Sequence, residues 1–88
     1  MGINENIKTR NNLSIYPTPA STIITISTPT TPDKNTFMTI FNLNGQALLS
    51  RQITEPIINV DVSGLVSGLY FVRVRDDRTV QVGKFVKQ

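Results

Sequence analysis

Acid–base and nucleophilic chemistry need carboxylates, imidazoles, thiols or activated hydroxyls brought together, and this 88-residue sequence supplies few of them. It has no His and no Cys. A Cys/His metal site, a disulfide and a Cys or His catalytic group are therefore all excluded. The six acidic residues are Glu5, Asp33, Glu55, Asp61, Asp76 and Asp77. Only Asp76 and Asp77 are adjacent, in a stretch that reads as a hairpin turn, where Asp serves local backbone hydrogen bonds. Asp61 stands just before Ser63-Gly64 and can cap the loop that starts there. The alternating oxygen ligands of a calcium loop are missing. A serine nucleophile would need an activating base, and without His a Ser–Lys pair is the conventional option left. Neither a G-x-S-x-G elbow nor a glycine-rich phosphate loop occurs. These residues point away from an enzyme, and no cofactor is expected.

Binding chemistry is also thin. Nine basic residues give a net charge of +3, but they are scattered, with Arg73 and Arg75 the densest group. Scattered bases read as a solvated face, and Phe71 beside them is one aromatic, too few for a nucleic-acid stacking surface. No apolar run approaches the roughly 18 residues that cross a bilayer, so no membrane insertion is expected. The N-terminus MGINENIKTRNN has no apolar h-region of a secretory signal. Met1-Gly2 reads as an artificial start, which would make the chain a piece of a longer protein. The basic–apolar–apolar–basic end Lys84-Phe85-Val86-Lys87 is the remaining feature with recognition chemistry.

Strands must position these residues. Hydrophobic content is 39% and charged content only 17%, too little charge for disorder driven by repulsion. Thr, Ile, Val and Ser are abundant, as on pleated, half-buried surfaces. Residues 1–12 read as a polar linker, and residues 13–88 as one domain. Within the domain, seven short apolar stretches are predicted as strands: 13–16, 22–27, 36–42, 46–52, 57–62, 69–75 and 79–87. Pro17 and Pro19, the run 28–34, Asn44-Gly45, Glu55-Pro56, the glycines Gly64 and Gly68, and Asp76-Asp77-Arg78 separate them. No stretch keeps a helical period. This pattern predicts an all-β sandwich; a small barrel is the alternative, though such barrels usually carry a helix.

Two strand faces can be assigned. Tyr70, Val72 and Val74 point to the core, while Phe71, Arg73 and Arg75 point out. In 79–87, Val80, Val82 and Val86 share one face, but Lys84 falls among them and Phe85 on the other. A bulge at Gly83 would turn Phe85 inward and Lys84 out; without one, Phe85 would be exposed.

Three stretches together resemble a known family. Ile15-Tyr16-Pro17-Thr18-Pro19-Ala20 is similar to its Y-P-N-P-A opening. Ile40-Phe41-Asn42-Leu43-Asn44-Gly45-Gln46 is similar to its I-Y-D-L-x-G-K hairpin. The stretch Val62-Ser63-Gly64-Leu65-Val66-Ser67-Gly68-Leu69-Tyr70-Phe71-Val72-Arg73-Val74, leading to Lys84-Phe85-Val86-Lys87, resembles its D-x-S-x-L-x-x-G-x-Y-x-V-x-V segment and its basic–apolar–apolar–basic end. The family is the C-terminal sorting domain of the type IX (Por) secretion system of Bacteroidetes. Thr18 stands where the family usually has Asn, and would cap the turn more weakly.

The resemblance implies an immunoglobulin-like antiparallel β-sandwich of about seven strands. It also implies a sorting label on a cargo domain that precedes it. The cargo would pass through the periplasm and the outer-membrane translocon to the cell surface or medium, and a sortase-like peptidase would then remove the label. Recognition is expected at Lys84, Phe85, Val86 and Lys87, with Lys87 exposed. Pro17, Pro19, Gly45, Gly64, Leu65, Gly68 and Tyr70 would be structural, the two glycines Gly64 and Gly68 by holding a costly backbone conformation. Cleavage is expected in the polar segment of Asn4, Lys8, Arg10, Asn11 and Asn12. An exposed edge strand could pair two copies. The alternative function is an immunoglobulin-like carbohydrate-binding or spacer module of a secreted enzyme.

Overall fold

The structure is a computed structural model that describes residues 8–10, 13–29 and 31–88. Among the described residues eight strands follow one another: β1 (Lys8–Arg10), β2 (Ser14–Tyr16), β3 (Ile23–Ser27), β4 (Phe37–Phe41), β5 (Ala47–Gln52), β6 (Ile57–Asp61), β7 (Gly68–Arg75) and β8 (Thr79–Lys87). They form a five-stranded sheet in the order β1-β8-β7-β4-β5 and a three-stranded sheet in the order β2-β3-β6. All pairs are antiparallel except β1 with β8, which is parallel.

Seven of these strands coincide with the seven apolar stretches of the sequence. The eighth, β1, falls inside the segment read as a linker. Its backbone pairs Lys8 with Thr79, Thr9 with Val80 and Arg10 with Gln81. The polar sequence KTR carries no apolar alternation that would announce a strand; the free edge of β8 supplies the partner.

The turns follow from their residues. Between β4 and β5, Gly45 has φ 81° and meets no atom within 4 Å of a built Cβ, so it is there for its backbone freedom. Asn42 Oδ1 accepts from the backbone N–H groups of Asn44 (2.9 Å) and Gln46 (3.0 Å), fixing the loop from one side chain. Between β7 and β8, Asp76 Oδ1 accepts from the N–H groups of Arg78 (2.7 Å) and Thr79 (2.8 Å).

The core lies between the sheets. The large sheet contributes Met38 and Ile40 from β4, Tyr70, Val72 and Val74 from β7, and Phe85 from β8. The small sheet contributes Ile24 and Ile26 from β3 and Val60 from β6, with Ala20, Ile53 and Val62 closing the ends. Burying each such aliphatic or aromatic side chain is worth about 1.5–3 kcal/mol. Tyr70 is in the core, 4% exposed, and its hydroxyl donates to the Val66 carbonyl at 2.6 Å.

β8 departs from the valine-face expectation. Its register with β7 is unbroken from Arg75↔Val80 to Gly68↔Lys87, so there is no bulge at Gly83. Phe85 nevertheless points inward, 1% exposed, because the inward face is the odd-numbered one. Phe85 lies opposite Tyr70, and the two rings stack with centroids 5.5 Å apart. Gln81 and Lys87 are buried on the same side, Lys87 at 8% exposure. The valines lose because a face is chosen by pairing across the strands: Val72 and Val74, both buried, face Gly83 and Gln81.

Candidate recognition surface

The residues expected to be read together at the chain end divide between two faces. Lys84 and Val86 alternate outward from β8, Lys84 exposed and Val86 at 43%. Phe85 and Lys87 face the interior, so neither presents its side chain as a surface contact. Lys87 Nζ donates to the Gln88 carbonyl at 3.0 Å. Phe71, 39% exposed, is the cross-strand neighbour of Lys84. Next to it on the same face, Arg73 holds its guanidinium over the Phe41 ring, 4.9 Å from the centroid. The exposed face is thus built from both hairpin strands: Lys84 and Val86 on β8, Phe71 and Arg73 on β7.

The opening motif fixes the far edge of β8. Thr18 lies between two cis peptide bonds, Tyr16-Pro17 and Thr18-Pro19. Its hydroxyl reaches across to β8, where it accepts from the Val86 N–H at 3.0 Å. Ala20, fully buried, donates its N–H to the Val86 carbonyl (2.7 Å) and accepts at its own carbonyl from the Gln88 N–H (2.8 Å). Sequence reading missed Thr18 and Ala20 as anchors of the last strand. The position of both in the proline motif was the available signal.

Beside this anchor, Leu13, Ile15, Phe71, Val82, Gly83 and Lys84 line an open, mostly apolar groove of about 460 Å³. A Cβ on Gly83 would come within 2.8 Å of Ile15 Cδ1 and 3.2 Å of Leu13 Cβ, so a larger residue there would push the Ile15 side chain aside and crowd Leu13.

The other predicted structural positions vary. Leu65 is half-buried and donates its N–H to the Val62 carbonyl at 3.0 Å. Gly68 has φ 155°. Gly64 has neither a positive φ nor an atom within 4 Å of a built Cβ, so the costly conformation expected of it is not there. Pro17 and Pro19 are exposed. Of the predicted cleavage segment, Lys8 and Arg10 lie in β1, and Asn4, Asn11 and Asn12 fall outside the described residues.

The carboxylates are occupied locally. Asp61 Oδ1 accepts from the Ser63 N–H at 2.9 Å, and hydrogen bonding from Ser63 holds its carboxyl below the ordinary range. At Asp76 slight burial pushes the carboxyl up, but hydrogen bonds from Arg78 and Thr79 and the Arg78 charge outweigh it, so its net shift is downward. Asp77 Oδ2 accepts from Asn35 Nδ2 at 3.0 Å. Among the described residues no group of three or more His, Cys, Asp or Glu is placed to hold a metal ion, and no helix is long and apolar enough to cross a membrane.

The secretion system C-terminal sorting domain family matches residues 14–88 of this sequence. The chain belongs to that family. As a sorting domain it is the signal of type IX secretion, recognised by that machinery, and it implies export to the cell surface or release from the cell. Such a signal is not expected to be catalytic. The fold has a solved counterpart: a DUF3244 family protein from Bacteroides vulgatus with an immunoglobulin-like β-sandwich. The sorting domain is 13% identical to it with a TM-score of 0.70, over 89% of this chain and 86% of that one. No curated protein matches the sequence.

Proposed function

We propose that the sorting domain ends a secreted cargo protein and is read in its folded state through the outward face of β8, with Lys84 and Val86 as the contacts and Phe71 beside them. One observation carries this reading. β8 stays paired out to Lys87, is pinned by Thr18 and Ala20 on its other edge, and still leaves Lys84 and Val86 exposed. A rigid strand that shows one cation and one apolar side chain suits a docking partner that supplies an acid and an apolar contact. The cargo reaches the translocon from the periplasm, and a sortase-like peptidase cuts in the segment of Asn4, Lys8, Arg10, Asn11 and Asn12. A second copy would pair along β5, whose six residues are all exposed.

The test is a fluorescent periplasmic reporter carrying residues 1–88 at its C-terminus, expressed in a type IX-competent bacterium and in a translocon-deficient strain. Delivery to the surface or medium is expected only in the competent strain. Lys84→Glu with Val86→Glu should fold and remain in the periplasm. Delivery of that variant at the unsubstituted level would remove the β8 face from the recognition surface.

A further inference from the structure

The chain before the family-matched region is tied to the chain's last strand. β1 covers only Thr79, Val80 and Gln81 of the nine-residue β8, and the family match begins after it, at residue 14. It is three residues long and pairs in the parallel sense, the less stable pairing per residue. Short edge strands open at far lower cost than the pairs inside a sheet.

The edge beneath β1 suits an extended polypeptide. Val86 and Gln88 turn their backbone groups away from β7, toward Thr18 and Ala20. By the period of two, Val80, Val82 and Lys84 turn theirs to the same edge. A strand laid there would run along Val80 to Lys84 and stop at the Thr18–Ala20 clamp. The groove lined by Leu13, Ile15, Phe71 and Val82 flanks that stretch, with Lys84 at its rim. The occupant that fits is an extended strand with an apolar side chain for the groove and a carboxylate for Lys84.

We infer that β1 holds the edge of β8 in place of such a strand from the export machinery, and that exchange of the two frees Lys8–Arg10 for the peptidase. This rests on the sorting reading above. A peptidase needs its scissile segment unpaired, and β1 withholds it while bonded in the sheet. Once β1 is released, hydrolysis breaks one amide C–N bond with one water. The new carboxylate stays with the cargo and the new amine with the domain. Docking would thereby license removal of the label, and an undocked cargo would keep it.

The native chain has no cysteine, so a tether can be placed cleanly. Thr9 and Val80 are register partners. Neighbouring strands lie about 4.8 Å apart, within the span of roughly 4.4–6.8 Å that a disulfide bridges between Cα atoms. The reporter fusion with Thr9→Cys and Val80→Cys, its disulfide verified by mass, is expected to be processed at least ten-fold less than either single variant. Processing equal to the single variants would overturn the inference. Hydrogen exchange on the purified, unsubstituted chain decides β1 release independently of the cell. The Val80 amide, on the edge that β1 covers, should exchange at least a hundred-fold faster than those of Gln81 and Gly83, which face β7. Equal protection would overturn strand exchange even where sorting succeeds. Failure of the unsubstituted fusion to be delivered would instead count against the sorting reading, and the exchange measurement would still decide whether β1 opens.

Discussion

Ile15 Cδ1 sits 2.8 Å from the point that a Cβ on Gly83 would occupy, so β2 reaches β8 through the space that glycine leaves. Leu13 Cβ, at 3.2 Å, closes the same space and has less freedom to move. Gly83→Ala is expected to lower stability by about 1 kcal/mol through overpacking. Ile15→Val removes the nearest atom and by itself costs about 0.5–1.5 kcal/mol. The double variant should lose less than the sum, because the second change relieves the first. Urea unfolding of the four proteins measures this, and strict additivity would show that the contact carries no strain.

Phe85→Ala should cost about 3–5 kcal/mol. A domain of this size holds only roughly 4–13 kcal/mol in total, so the variant would sit near its unfolding threshold. Thermal melting followed by circular dichroism reads this directly. A loss below about 1 kcal/mol would contradict the buried stack with Tyr70. A secretion defect in this variant reports folding before it reports recognition.

The two lysines of the terminal motif should behave differently. Lys84→Ala, at an exposed position, is expected to change stability by less than about 0.5 kcal/mol. Lys87→Ala removes a stem packed at 8% exposure and should cost about 1 kcal/mol. Melting temperatures of the two variants separate them; equal, negligible shifts would place the Lys87 stem in solvent.

Acid should weaken the β7–β8 turn. The folded-state carboxyl of Asp76 lies below its ordinary value, so its contribution is full above the unfolded pKa of about 3.9 and is lost as pH falls through the lower folded value. Asp61 follows the same sign. The drop in melting temperature from pH 5 to pH 2.5 should be smaller in Asp76→Asn than in the unsubstituted chain. An identical drop would remove Asp76 from the acid response.

Local patterns made most of the fold legible. Proline, Asn-Gly and paired aspartates mark strand ends by their own backbone chemistry, and seven strands followed from them. The β7 face was legible because Tyr70, Val72 and Val74 alternate with polar or exposed neighbours. The β8 face was not. Its inward residues are Gln81, Gly83, Phe85 and Lys87, and what turns them in is the register with β7 and the fit of Ile15 over Gly83, neither of which is local. β1 was hidden for the same reason, since its partner lies some 70 residues away. Thr18 was expected to serve its own turn, yet its hydroxyl meets Val86, 68 residues on. Lys87 was therefore read as surface when it is interior, and Phe85, whose face depended on a bulge that is absent, is interior without one.

The parallel sense of the β1–β8 pair makes the domain's resistance to traction depend on direction. A load drawn from the upstream end of β1 against the downstream end of β8 runs along the strands, and the hydrogen bonds between them share it in shear. A load that lifts β1 sideways meets the same bonds one at a time. The pair is a clasp: firm against a lengthwise pull, yielding to a peel.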